Sequence, residues 1–323
     1  LAPRTLPLRM PCGTFLKMSR LTAAVAAVAL SLSLTACAGE EDLIEGVPAF
    51  PVDEPGVTVV DTGEHARVLS YTENAEPWST TVAVSSGVAQ TVGDQVRGGD
   101  VAITTLPLDI SVGDAPEPGE GEAAASRRID FTVGAGKHSN LDIGQDVAAT
   151  EGFRMSWRGD DSGKISTIKL LAPPEAPERG LQHVEPALLA LITQNVVFPT
   201  EPIGEGGVWK VENRVAGDNT MLRTTTYTVE SLTDSTVDLA VDIEERPSEK
   251  DMTIDADAAG DLNGQHIEVE SSSTTSKGHI TVDFSRPLPV SGEVEATTHL
   301  VYSGGEQTTR VVQDITRAVR YGA

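Results

Sequence analysis

Few side chains in this sequence could hold a metal, attack a carbonyl or hold a phosphate, and their spacing excludes most of that chemistry. Six histidines occur (His65, His138, His183, His266, His279 and His299), none at H-x-H or H-x-x-x-H spacing. Those spacings put two imidazoles on one face of a strand or helix, so each histidine here reads as a solvent-facing strand or loop residue. No G-x-S-x-G elbow exists to present a nucleophilic serine. Gly136-Lys137-His138-Ser139 has the end of a phosphate loop, but Phe131 stands where the first glycine must be, so it reads as a surface turn. The run from Asp255 to Asn263 is the best metal candidate. Asp255, Asp257, Asp261 and Asn263 fall at calcium-loop positions one, three, seven and nine, with Gly260 at six. Ala259 at five and His266 at twelve, where a bidentate Glu is required, favour a solvated hairpin loop instead. Paired carboxylates abound only because acids abound. No catalytic residue, metal or cofactor is expected.

Thiol chemistry is confined to Cys12 and Cys37. Residues 1–36 have the parts of an export leader. Arg4, Arg9, Lys17 and Arg20 are its only charges, an uncharged run follows from Leu21 to Leu34, and no acid precedes Glu40. That run is shorter than the roughly 20 apolar residues a membrane-spanning helix needs. Met18, or else Met10, is the expected start, and a start at Met18 would leave Cys12 outside the protein. The tetrapeptide Leu34-Thr35-Ala36-Cys37 resembles the lipobox of bacterial lipoproteins. The resemblance implies a diacylglyceryl thioether on Cys37, cleavage just before it and acylation of its amine. Two or three acyl chains hold a protein at a membrane, where one is marginal. The alternative is an ordinary secretory peptide that happens to contain a cysteine.

With Cys37 acylated the exported part has no disulfide, so its stability must come from a hydrophobic core, which 323 residues permit. Lys and Arg total 24 against 48 Asp and Glu, a formal net charge of −24. Such a field repels nucleic acid and excludes it as a partner. Residues 37–54 are acidic and proline-containing without periodicity and read as a tether. From residue 55 onward strand patterns dominate and suggest one β-rich domain to residue 323. They fall at Val57–Val60, Arg67–Tyr71, Thr80–Val84, Val101–Val112, Arg128–Val133, Phe153–Trp157 and Ile165–Leu171. After them come Met221–Ser231, Val237–Ile243, His266–Glu270, His279–Phe284, Val294–Tyr302 and Arg310–Ile315. Asp114–Ser126 is low in complexity and reads as a mobile surface loop.

One helix interrupts the strands. Val184, Leu188, Leu191 and Ile192 share a helical face, and Pro186 suits only a first turn, so the helix is expected near 184–195. The fold class is therefore mainly β, α+β in detail: a large curved antiparallel sheet or half-barrel with one principal helix.

Two stretches, FPTEPIGEGGVWKV at Phe198–Val211 and GHITVDFSRPLPVSGEV at Gly278–Val294, make the body similar to an uncharacterised family of actinobacterial membrane-anchored lipoproteins. The strand–helix–strand order also resembles the β half-barrel envelope lipoproteins that carry lipids. These likenesses imply a lipid-anchored protein on the outer face of the cytoplasmic membrane, non-enzymatic, binding an apolar ligand or an envelope protein. A structural or assembly role with a filled core is the alternative. Aromatics make up only 4% of the chain, so the sheet is expected to enclose an apolar cavity; splitting into two packed layers would bury the same faces without one.

Overall fold

Apolar–polar alternation runs through most of the chain, and it builds one very wide antiparallel sheet. The computed structural model describes residues 44–72, 76–92, 95–215, 218–249, 251–253, 266–304 and 310–323. Leu34, Thr35, Ala36 and Cys37, and the acidic run from Asp255 to Asn263, lie outside the described residues.

The first strands are β1 (Phe50–Pro51), β2 (Gly56–Asp61), β3 (Glu64–Arg67), β4 (Trp78–Val92), β5 (Gln95–Gly98), β6 (Ala102–Asp114), β7 (Arg127–Val133) and β8 (Lys137–His138). Helix α1 (Leu141–Ala148), β9 (Arg154–Gly159), β10 (Ile165–Leu171) and helix α2 (Glu178–Thr193) follow. Then come β11 (Ile203–Glu205), β12 (Val208–Val215), β13 (Asp218–Leu232), β14 (Thr236–Pro247) and β15 (Asp251–Thr253). The last are β16 (His266–Asp283), β17 (Ser291–Gly304) and β18 (Val311–Tyr321).

Two meanders make the 16-stranded sheet. The first runs β4-β6-β7-β9-β10 and the second β12-β13-β14-β16-β17-β18, and they join where β18 pairs β4 from Val311↔Val92 to Tyr321↔Val82. At the far edges β1 lies on β10 and β2 lies on β12. These edge strands are neighbours in sequence, so residues 52–55 carry the chain across the opening. So short a strap spans at most about 18 Å. The sheet thus curls toward a barrel without closing.

The concave face holds the core. Leu106, Leu108, Ile129, Phe131, Met155 and Trp157 from the first meander are almost wholly buried, as are Trp209, Val237, Leu239 and Val282 from the second. Helix α2 packs on β6, β12 and α1. Its inward stripe is Val184, Ala187, Leu188, Leu191 and Ile192. Gly180 sits where α2 crosses α1, and a Cβ there would fall 2.1 Å from the Asp146 carbonyl oxygen, so only glycine permits this approach.

One end of the curl is plugged by aromatics. Phe198 meets Tyr71, Phe284 and Trp209 at centroid distances of 5.2, 5.7 and 6.1 Å, and Trp209 stacks on Tyr227 at 5.0 Å. Trp209 Nε1 donates to Val197 O at 2.9 Å and Tyr71 OH to Val196 O at 3.2 Å. Both stretches that carry the family resemblance end in this plug, so they are core. Although aromatics are scarce, all four tyrosines lie buried. The interior expected to be an apolar void is thus largely occupied by its own side chains, and the largest of these are aromatic.

Other expectations change. The helix begins at Glu178, six residues before Val184, with Pro186 inside it. Pro186 and Gln182, whose carbonyl it leaves unpaired, both face solvent, so water replaces the lost bond. A second helix, α1, is capped by Asn140, whose Oδ1 accepts from Asp142 N–H at 3.0 Å. His266–Glu270 and His279–Phe284 belong to one 18-residue strand, β16, except that Phe284 lies just beyond it. Arg67 ends β3, and Leu69 and Tyr71 beyond it plug the core rather than form a strand. Within residues 44–54 Ile44 is 4% exposed and Phe50–Pro51 form β1, while most of the other side chains are exposed.

The Asp114–Ser126 loop is bound down on the convex face. Arg158 donates to Pro116 O at 2.7 Å and Ala123 O at 3.2 Å, and Ala123 N–H donates to Thr167 Oγ1 at 3.0 Å. Glu122 sits between Arg158 (3.1 Å) and Lys169 (2.7 Å).

Candidate ligand-binding cleft

A concave surface remains where the two sheet edges fail to meet. β1 pairs with β10 at Phe50↔Ile168 and Pro51↔Thr167, and one further bond, from Val52 N–H to Ser166 O at 3.0 Å, follows. The strap then leaves for β2. Under it the end of α2 and the Asn195–Val197 segment form a floor between β10 and β12. The resulting cleft is about 490 Å³, within the usual size of a small-molecule site. Its apolar lining is Val52, Pro55, Ile165, Ile168, Leu189, Ile192, Val197 and Val215, with Pro51 at the lip. Asp53, Thr193, Asn195, Asn213 and Arg214 supply polar groups.

Local sequence explains the placement. The α2 stripe that faces the core at Leu188 and Leu191 turns toward the opening at Leu189 and Ile192. Asn195 Nδ2 donates to Gly163 O at 2.5 Å and ties the helix exit to the β9–β10 turn. Gly163 has φ +96°, and a Cβ there would meet Val196 O at 2.4 Å. At the mouth Arg214 pairs with Asp53 at 3.4 Å across the strap; both side chains are largely exposed, so the pair adds little stability.

The inner wall of the cleft meets a belt of polar groups. Asn213 lies opposite Arg223 in the β12–β13 ladder. Arg223, 1% exposed, donates through Nε and Nη2 to Glu245 Oε1 at 2.9 and 2.5 Å. Thr298 Oγ1 (2.8 Å) and Arg317 Nη1 (3.0 Å) donate to Glu245 Oε2. Burial raises the Glu245 pKa, but the two guanidiniums and these hydrogen bonds outweigh it and hold the carboxyl below its ordinary value. Past Val241↔Gly278 the backbone ladder of β14 with β16 gives way to hydroxyls: Ser276 accepts from Ile243 N–H at 2.8 Å and Thr274 from Glu245 N–H at 2.9 Å. Beyond the belt a second apolar cluster, with Val215, Met221, Leu300, Tyr302 and Val311, fills the other end of the curl.

The histidines are not brought together as a site. His65 is exposed with φ +52°. His266 opens β16 opposite Thr253. His279 and His299 lie on strands within 2.8 Å of Glu230 and 2.7 Å of Asp314. His138 departs from expectation: it is buried at 7% exposure and packs against His183 of α2, the ring centroids 4.5 Å apart and the planes tilted by 54°. Burial, His138 and Arg179 together push the His183 pKa down. Among the described residues no three His, Cys, Asp or Glu side chains cluster to hold a metal, and no helix is long and apolar enough to cross a membrane. Sequence reasoning missed Asn213, Arg223, Glu245 and Arg317. Arg223 and Glu245 had a signal, since each occupies an inward position in an alternating apolar strand.

Comparison with models of known protein families finds no match, and comparison with curated proteins finds no significant one.

Proposed function

We propose that this chain is a lipid-anchored envelope lipoprotein whose body is a non-enzymatic module binding an apolar ligand in the cleft under the strap. In this reading the leader exports the chain, acylated Cys37 fixes it to the outer face of the cytoplasmic membrane, and the membrane supplies the ligand. The observation that carries the reading is the cleft: the sheet stops short of closure, and α2 floors the gap with leucine and isoleucine instead of sealing it. Its lining is mostly aliphatic, with Ile165, Ile168, Leu189, Ile192 and Val197 turned to the opening, which suits an apolar ligand.

Native mass spectrometry of protein purified from its own host tests this, with a co-purifying lipid as the expected result. Ile192→Trp, which fills the cleft, removes that lipid while the protein stays folded. Lipid-free native protein, or lipid retained in Ile192→Trp, contradicts the reading. A structural role with a protein partner has one observation in its favour. β2 ends the sheet path and exposes Val60 at 59%, which is an edge a partner strand could extend.

A further inference from the structure

Buried polar atoms in folded proteins are nearly always paired, so those left over mark where another group belongs. Two such atoms arise at one register position of this sheet. Asn213 and Arg223 stand opposite each other across β12 and β13, so their side chains leave the same face with Cβ atoms about 5 Å apart. Arg223 spends Nε and Nη2 on Glu245, yet its Nη1 is buried without a hydrogen-bond partner. Asn213 lines the cleft, and its Oδ1 is equally without a partner. Its Nδ2 donates to Thr193 O at 3.5 Å. A bond that long is weak and holds the amide loosely. The donor left over at the inner wall of the cleft is Arg223 Nη1.

The charges agree. Arg223 sets a cation, 1% exposed, into the interior of a chain whose formal net charge is −24. A chain so acidic repels free anions at long range, and only a local cation overcomes that field. A guanidinium with one edge free suits a carboxylate or phosphate oxygen, because its planar fork is weakly hydrated and matches their geometry.

Resting on the reading of the cleft as a ligand site, we infer that the ligand is an acyl lipid with an anionic oxygen head, a carboxylate or a phosphate. That head passes Asn213 and takes the free Nη1 of Arg223, while the chain lies along Ile165, Ile168, Leu189 and Ile192. The head points inward and the chain lines the opening. A neutral lipid of the same length gains the apolar contacts but leaves the belt as it is.

The test compares dodecanoate, dodecyl phosphate and dodecanol for displacement of a neutral apolar fluorophore from the full chain. One charged hydrogen bond in a buried site favours at least one of the two anions over dodecanol by about tenfold or more, and the anion that wins tells carboxylate from phosphate. The triple variant R223M/E245M/R317M replaces the whole ion cluster with apolar side chains of similar volume. There the three probes bind within about threefold of one another. Asn213→Asp, which leaves the Arg223–Glu245 pair intact, sets a negative charge at the entrance and also abolishes the preference. Equal binding of all three probes to the wild type overturns the anionic head and leaves an apolar cleft. Binding of none of them overturns the cleft reading as well.

Discussion

Two glutamates in this molecule are each held between two cations, on opposite faces of the same sheet. Glu122 lies on the convex face between Arg158 and Lys169. Glu245 lies in the concave interior between Arg223 and Arg317. In the outer cluster each guanidinium nitrogen has a partner: Arg158 bonds Glu122 and two loop carbonyls, and Glu122 also accepts from Gly119 N–H at 2.9 Å. The arrangement closes on itself and fastens a loop. In the inner cluster Arg223 keeps a buried Nη1 unpaired beside an unpaired Asn213 oxygen. A satisfied cluster has a structural purpose. An unsatisfied one, kept at the cost of desolvating charges in the interior, points outside the chain.

Removing one carboxylate from each cluster should separate them most. Glu245→Ala strands Arg223 in the interior and should cost about 3–5 kcal/mol of stability. Glu122→Ala releases a loop whose cations can turn to water and should cost about 1–3 kcal/mol. Urea denaturation measures both, and equal losses would erase the distinction. Removing the cations together with the carboxylate should then reverse the order of harm. R223M/E245M/R317M, which takes away the whole inner cluster, should be neutral or more stable by about 1–4 kcal/mol. R158M/E122M should still destabilise, because Arg158 also holds the carbonyls of Pro116 and Ala123.

Acid should act on both clusters in the same direction. Folding holds Glu122 and Glu245 below the ordinary carboxyl value of 4.5. Their contribution is therefore whole above about pH 4.5 and is lost as pH falls through the folded values. Melting temperatures from pH 6 to 3 should fall steeply in the wild type and less so in R223M/E245M/R317M; identical slopes would mean that Glu245 is not held ionised. The smallest effect concerns His183. Its folded pKa is pushed below 6.5, so the folded state takes up its proton less readily than the unfolded one. Stability from this group is full above 6.5 and declines as pH falls below it. His183→Gln should flatten that part of the profile without moving the acid limb.

Much of the architecture was legible because periodicity is a local signal. The alternations at Val237–Ile243 and Val294–Tyr302 became inward-facing strands, and the stripe Val184, Leu188, Leu191 and Ile192 became the buried face of α2. The start of α2 was not legible, because whether Pro186 can sit in a helix interior depends on its neighbour Gln182 facing water. Helix α1 was hidden by its length of eight residues and Gly144 at its centre. The filled interior was missed because composition counts aromatics, whereas only the fold gathers Tyr71, Phe198, Trp209 and Phe284 in one place. The polar belt was missed for a similar reason. Arg223 and Glu245 lie 22 residues apart, and acids are too common here for one inward glutamate to stand out without its partners.

The central claim, that the gap between the sheet edges is where a lipid binds, can be tested by photo-crosslinking a diazirine-bearing fatty acid to the full chain and mapping the labelled peptides. The account predicts adducts on the strap at residues 52–55, on the end of α2 with Val197, and on Ile165 and Ile168, all lost in Ile192→Trp. Adducts concentrated instead on the convex face, at residues 44–49 and 116–122, or unchanged in Ile192→Trp, would contradict it.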